Sequence, residues 1–143
     1  MNTFLPYLDF TDSIRCLDNK RLGKQRVEAM QMLNIILEGR TNGGWINHPC
    51  TKMWRPYPHA LALYMNLCIQ EWVDRGFNNT MEFAPFKMDE LKMPKWIGDS
   101  RLHSSHRSNL LRKDTDWYGQ FGWMESDNLP YFWPSKEPGY VEL

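Results

Sequence analysis

Between Pro58 and Gly76 the apolar residues Leu61, Tyr64, Leu67, Cys68 and Trp72 recur at spacings of three or four, as one face of an α-helix requires. Pro58 suits a first helical turn, and Gly76 followed by Phe77 resembles a Schellman ending. The spacing predicts a helix that begins after Pro58, runs to Arg75 and packs as the central core helix. Two further segments read as helices around it. One runs from about Thr11 to Leu37, with Thr11, Asp12 or Ser13 as N-cap and Gly39 just beyond its end. Gly23 lies inside it and lowers helix propensity by ~1 kcal/mol relative to Ala, which points to a bend or a close approach. The other starts near Asp99 or Ser100 and reaches Lys113, with Leu102, His106 and Leu110 on one face. Residues 39–58 are rich in Gly, Pro and Trp and read as an ordered surface loop. Residues 77–98 and the stretch from Asp114 are irregular and aromatic. The expected fold is all-α, a compact three-helix single domain over residues 1–143 with long aromatic, proline-rich loops.

A chain of 143 residues fits one domain. Its 42% hydrophobic and 24% charged residues favour neither disorder nor a membrane class. No apolar run approaches a membrane span, and Met1–Pro6 lacks the basic and apolar regions of a secretory signal. Cys16, Cys50 and Cys68, odd in number and without CxxC pairing, read as free thiols of a reducing compartment. A cytoplasmic protein is expected, with its oligomeric state left open.

The net charge is zero, from 17 basic and 17 acidic residues, yet the signs are segregated. Arg15, Lys20, Arg21, Lys24 and Arg26 cluster in residues 15–26, and Lys95, Arg101, Arg107, Arg112 and Lys113 in residues 95–113. Acidic residues Asp114, Asp116, Glu125, Asp127, Glu137 and Glu142 dominate the C-terminal stretch. Such a layout attracts phosphate locally; solvated helix faces would give the same counts. The expectation is that residues 15–26 and 101–113 share one side, flanking a groove walled by Trp45 and Trp117, and that the acidic tail faces elsewhere.

Arg21, Lys24, Gln25 and Glu28 stand at i, i+3, i+4 and i+7, on a single helix face. Two cations, an amide and a carboxylate so placed can line a pocket for an anionic substrate. An exposed face with Lys24–Glu28 pairing fits the same spacing. His48, His59, His103 and His106 carry no zinc frame, so no metal and no cofactor is expected. His106, between Leu102 and Leu110, reads as a core histidine, whereas His103 and Arg107 are candidates for phosphate. Trp45, Trp54, Trp117, Tyr118, Phe121 and Trp123 interleave with His48, Arg55, Arg112 and Lys113, a mixture suited to stacking on bases.

Taken in order, the segments LDNKRLGKQRVE (17–28), His48 to Asn78, and Ser105 to Gly122 with its Trp117-Tyr118 and Phe121-Gly122 resemble the pyrimidine-dimer DNA glycosylase (endonuclease V) family of small all-α enzymes. The set NTFLPY, NHPCTKMW, HRSNLLRKD and WYGQFGW is similar to a bacterial and viral subgroup of it. The resemblance implies base excision from damaged or modified double-stranded DNA, with no membrane association. A free N-terminal amine attacks C1′, and the resulting Schiff base permits strand cleavage by β-elimination at the abasic site. An α-amine, with a pKa near 7.7–8.0, is partly neutral at pH 7.

An ungapped alignment puts Gly23 where that family has its catalytic glutamate and Cys16 where it has a histidine. The nearest acid on the helix is Glu28. The bulk of Asn2 favours retention of Met1, so the resemblance implies Met1 and Asn2 at the reactive terminus, with Glu28, Arg21 and Gln25 around them. Lys20, Lys24, Arg26, His48, His103, Arg107, Arg112, Lys113, Trp117 and Tyr118 are the implied DNA contacts. The alternative is an inactive module on the same fold that binds nucleic acid, a nucleotide or a small phosphorylated ligand.

Overall fold

The computed structural model describes residues 1–140. Its helices are α1 (Phe10–Arg15), α2 (Asn19–Glu38), α3 (Pro49–Trp54), α4 (Pro58–Asp74), α5 (Ser100–Lys113) and α6 (Thr115–Tyr118), with short 3₁₀ turns after α4 and α6 and no strand among the described residues. The all-α expectation holds, with three long helices and three short ones in place of three. One hydrophobic core joins them; its largest buried side chains include Trp54, Trp96, Tyr64, Leu22 and Met32.

Helix α4 lies at the centre, as its periodicity predicts, and packs most extensively against α2. It ends in a Schellman motif: the Phe77 amide donates to Trp72 O and the Gly76 amide to Val73 O, with Gly76 at φ 92°. Gly23 marks the close approach of α2 to α4. A Cβ there would stand 3.0 Å from the Trp72 ring.

The first predicted helix is two. Helix α1 stops at Cys16, Asp18 is extended (φ −65°, ψ 159°), and α2 restarts at Asn19. Distant side chains take up the carbonyls released at the break. Arg75 donates to Leu17 O (2.8 Å) and Arg15 O (3.1 Å), and the Trp117 indole donates to Cys16 O (2.8 Å). Unpaired carbonyls at this half-buried corner would be costly. The predicted loop 39–58 also contains α3, started by Pro49 and capped by His48, whose Nδ1 accepts from the Cys50 amide at 3.0 Å.

Candidate functional site

Residues 2–6 are buried yet belong to no helix or strand, so side chains must satisfy their backbone. Gln25 of α2 donates to Asn2 O and accepts from the Phe4 amide, both at 2.8 Å. The Leu5 amide donates to Nδ1 of His106 (2.8 Å), and Nδ1 of His103 donates to Leu5 O (2.7 Å). Arg107 donates to Pro6 O (2.7 Å). Burial pushes the His106 imidazole down to about 3 and lowers His103, so both serve as neutral rings. The sequence reading of His106 as a core histidine holds.

This seating delivers the start of the chain to a cleft of about 390 Å³ whose lining includes Met1, Asn2, Lys20, Arg21, Lys24, Gln25, Glu28, Lys113 and Tyr131. The Asn2 amide donates to Oε2 of Glu28 at 3.3 Å. The helix face singled out from spacing thus faces a cavity, and its carboxylate is engaged by the N-terminal segment. Gly23 abuts Trp72 on the α4 side, so a glutamate there would project into the α2–α4 contact. Burial, then the charges of Arg21, Arg112 and Lys24, lowers the pKa of Lys113, which brings the end of α5 electrostatically close to the start of α2.

A second, shallower cavity shares Met1 and is lined by Gly43, Gly44, Trp45, Asn47 and His48. Trp45 is exposed, adopts φ 73°, and stacks on His48 with ring centroids 5.7 Å apart. Burial and then the N-terminal amine lower the His48 pKa.

Other predicted contacts sit elsewhere. His103 is buried with both ring nitrogens bonded to main chain, at Leu5 O and the Gly98 amide. Arg107 is spent on Pro6 O, Ser104 and Glu125. Tyr118 is fully buried, its hydroxyl bonded to the Asp18 carboxylate and amide. Arg26 lies over the Trp72 ring at 4.7 Å and reaches Asn79. Trp117 is partly exposed but lines neither cavity, and Arg112 is exposed, bonded to Asn109 and Asp127 O.

The acidic tail does not face away. Glu125 pairs with Arg107 at 2.9 Å and Glu137 with Arg101 at 3.5 Å, because opposite charges on α5 and the tail attract during packing. Glu142 lies outside the described residues. Two cleft residues, Phe4 and Tyr131, carry no sequence signal beyond aromaticity. Among the described residues no helix is long and apolar enough to cross a membrane, and no cluster of three or more His, Cys, Asp or Glu could hold a metal ion.

No curated protein and no solved structure matches this chain. A family model does: that of the pyrimidine dimer DNA glycosylases, over residues 1–85. That span contains the buried N-terminal segment, all of α2 and the Trp45–His48 loop, the elements that build most of both cavities. The chain belongs to the pyrimidine dimer DNA glycosylase family.

Proposed function

We propose that the protein excises damaged or modified pyrimidines from double-stranded DNA and then cleaves the abasic strand through a Schiff base on its N-terminal amine. The observation that carries this reading is the Asn2–Glu28 hydrogen bond of 3.3 Å, which sets the chain start beside a carboxylate inside a cationic cleft. Lys20, Lys24 and Lys113 supply positive charge for the phosphates flanking the lesion. Gln25 holds the first residues in register. The Met1 nitrogen attacks C1′, and the base departs with the glycosidic electron pair and a proton. Glu28 stabilises the cationic sugar. After ring opening gives the iminium at C1′, loss of a C2′ proton expels the 3′ phosphate. Such chemistry requires the target nucleotide to leave the stack.

Borohydride trapping on an abasic-site duplex tests the reading. A covalent adduct that disappears when the N-terminus is acetylated is the expected result. An adduct that survives acetylation overturns the α-amine mechanism, and binding without any cleavage favours the inactive module, which the displacement of the family's glutamate position to Gly23 otherwise motivates.

A further inference from the structure

The matched family region ends at residue 85, yet the cleft is closed by a residue far beyond it. Residues 123–133, a non-helical arm with a turn at 127–128, run back along α5. The Leu129 amide donates to Ser108 Oγ (2.9 Å), the Phe132 amide donates to Ser105 Oγ (3.1 Å), and Asn109 donates to Leu129 O (3.1 Å). Glu125 is tied to Arg107, and Ser135 donates to Pro49 O at 2.9 Å. Between these anchors the arm turns Tyr131 into the cleft with Met1, Asn2 and Glu28. Its ring packs near Phe4 (centroids 6.5 Å apart), His106 (6.0 Å) and Trp133 (5.5 Å), and Tyr131 lines the cleft together with Asn2.

Tyr131 differs in kind from its neighbours. The other polar side chains of this cleft are cations, the Glu28 carboxylate, or the amides of Asn2 and Gln25 already bonded to main chain. Burial raises the phenol pKa, so the group is a neutral O–H at physiological pH. Phosphates are drawn to the lysines; a neutral donor beside the chain start is suited to the uncharged oxygens of the sugar.

We propose that Tyr131 is a catalytic-site residue whose hydroxyl donates a hydrogen bond to a deoxyribose oxygen next to the carbon attacked by the amine. The inference rests on the reading that this cleft holds the sugar of a DNA strand. It assigns the C-terminal arm a part in the reaction and not only in packing.

Tyr131→Phe keeps the ring and removes only the hydroxyl. Single-turnover borohydride trapping on an abasic duplex should slow about tenfold at saturating DNA, with the dissociation constant, its salt dependence and the melting temperature unchanged. Ser105→Ala, which removes the anchor beside Tyr131 at Phe132, should slow trapping in the same direction but should also lower the melting temperature, which Tyr131→Phe should not. A Tyr131→Phe protein that traps as fast as wild type overturns the inference, as does a Tyr131→Phe protein whose slower trapping comes with a lowered melting temperature. Absence of any adduct with the wild-type protein overturns the lyase reading itself, and this inference with it.

Discussion

Glu125 Oε1 stands 2.9 Å from Nε of Arg107, so a carboxylate of the C-terminal arm neutralises a cation that sequence alone assigns to phosphate. The same guanidinium supports the Pro6 carbonyl. The cations left to face the cleft are Lys20, Lys24 and Lys113, because Arg21 Nη1 stands 3.2 Å from the Asp18 carboxylate.

Binding to duplex DNA should therefore follow those three lysines. The logarithm of affinity should fall against the logarithm of salt with a slope of roughly −3, shallower than a count of both basic segments gives. Lys24→Ala or Lys113→Ala should flatten it by about one unit, whereas Arg107→Ala should leave the slope alone and lower the melting temperature. Fluorescence anisotropy over a salt series reads both outcomes.

Glu28→Gln preserves shape and an acceptor for the Asn2 amide while removing the charge. Turnover on abasic or ultraviolet-irradiated DNA should fall by about 100-fold, with binding held within a few-fold. Unchanged turnover would remove Glu28 from the chemistry.

Gln25 makes two 2.8 Å bonds to the buried N-terminal segment, and the Tyr64 hydroxyl lies 2.8 Å from its Oε1. Gln25→Ala strands a buried carbonyl and a buried amide, so unfolding free energy should drop by about 3 kcal/mol. Urea denaturation measures it. Activity should fall further than stability, because the chain start is no longer held at Glu28.

Acid should unfold the protein through His106. Its folded-state pKa, about 3, lies below the ordinary 6.5, so the unfolded chain binds the extra proton between those values. Stability is full above pH 6.5 and is lost as pH falls toward 3, by about 1.4 kcal/mol per pH unit from this group. His106→Asn, which offers the Leu5 amide an oxygen, should flatten the dependence of the urea midpoint on pH between 6 and 4. An unchanged slope would assign the acid sensitivity to other groups.

Local signals in the sequence were enough for α4 and α5. The 3–4 spacing, Pro58, Gly76 and the Asp99 cap all act within one turn of the helix they define. The break at Cys16–Asp18 was not legible, because Arg75 and Trp117 stabilise it from 58 and 101 residues away. At the site, i, i+3, i+4 and i+7 spacing located Arg21, Lys24, Gln25 and Glu28 on the helix face that the cleft uses. Composition misled at His103, Arg107 and Tyr118. Their polar groups serve the buried main chain or Asp18, and residue type alone does not distinguish a side chain serving main chain from one serving phosphate. Tyr131 enters the cleft through the arm's bonds to α5, a tertiary fact without a local pattern.

The N-terminal segment also sets an order on events during synthesis. Residues 2–6 leave the ribosome about a hundred residues before His103, His106 and Arg107, which hold Leu5 and Pro6. At 5–20 residues per second that is a wait of roughly 5–20 s. Until then the opening residues find partners among earlier residues such as Gln25, Glu28, Trp54 and Tyr64, and the cleft lacks its Lys113 and Tyr131 walls. The nascent chain therefore carries an unfinished cleft, and a release or pause before α5 emerges leaves Leu5 and Pro6 without the α5 side chains that hold them.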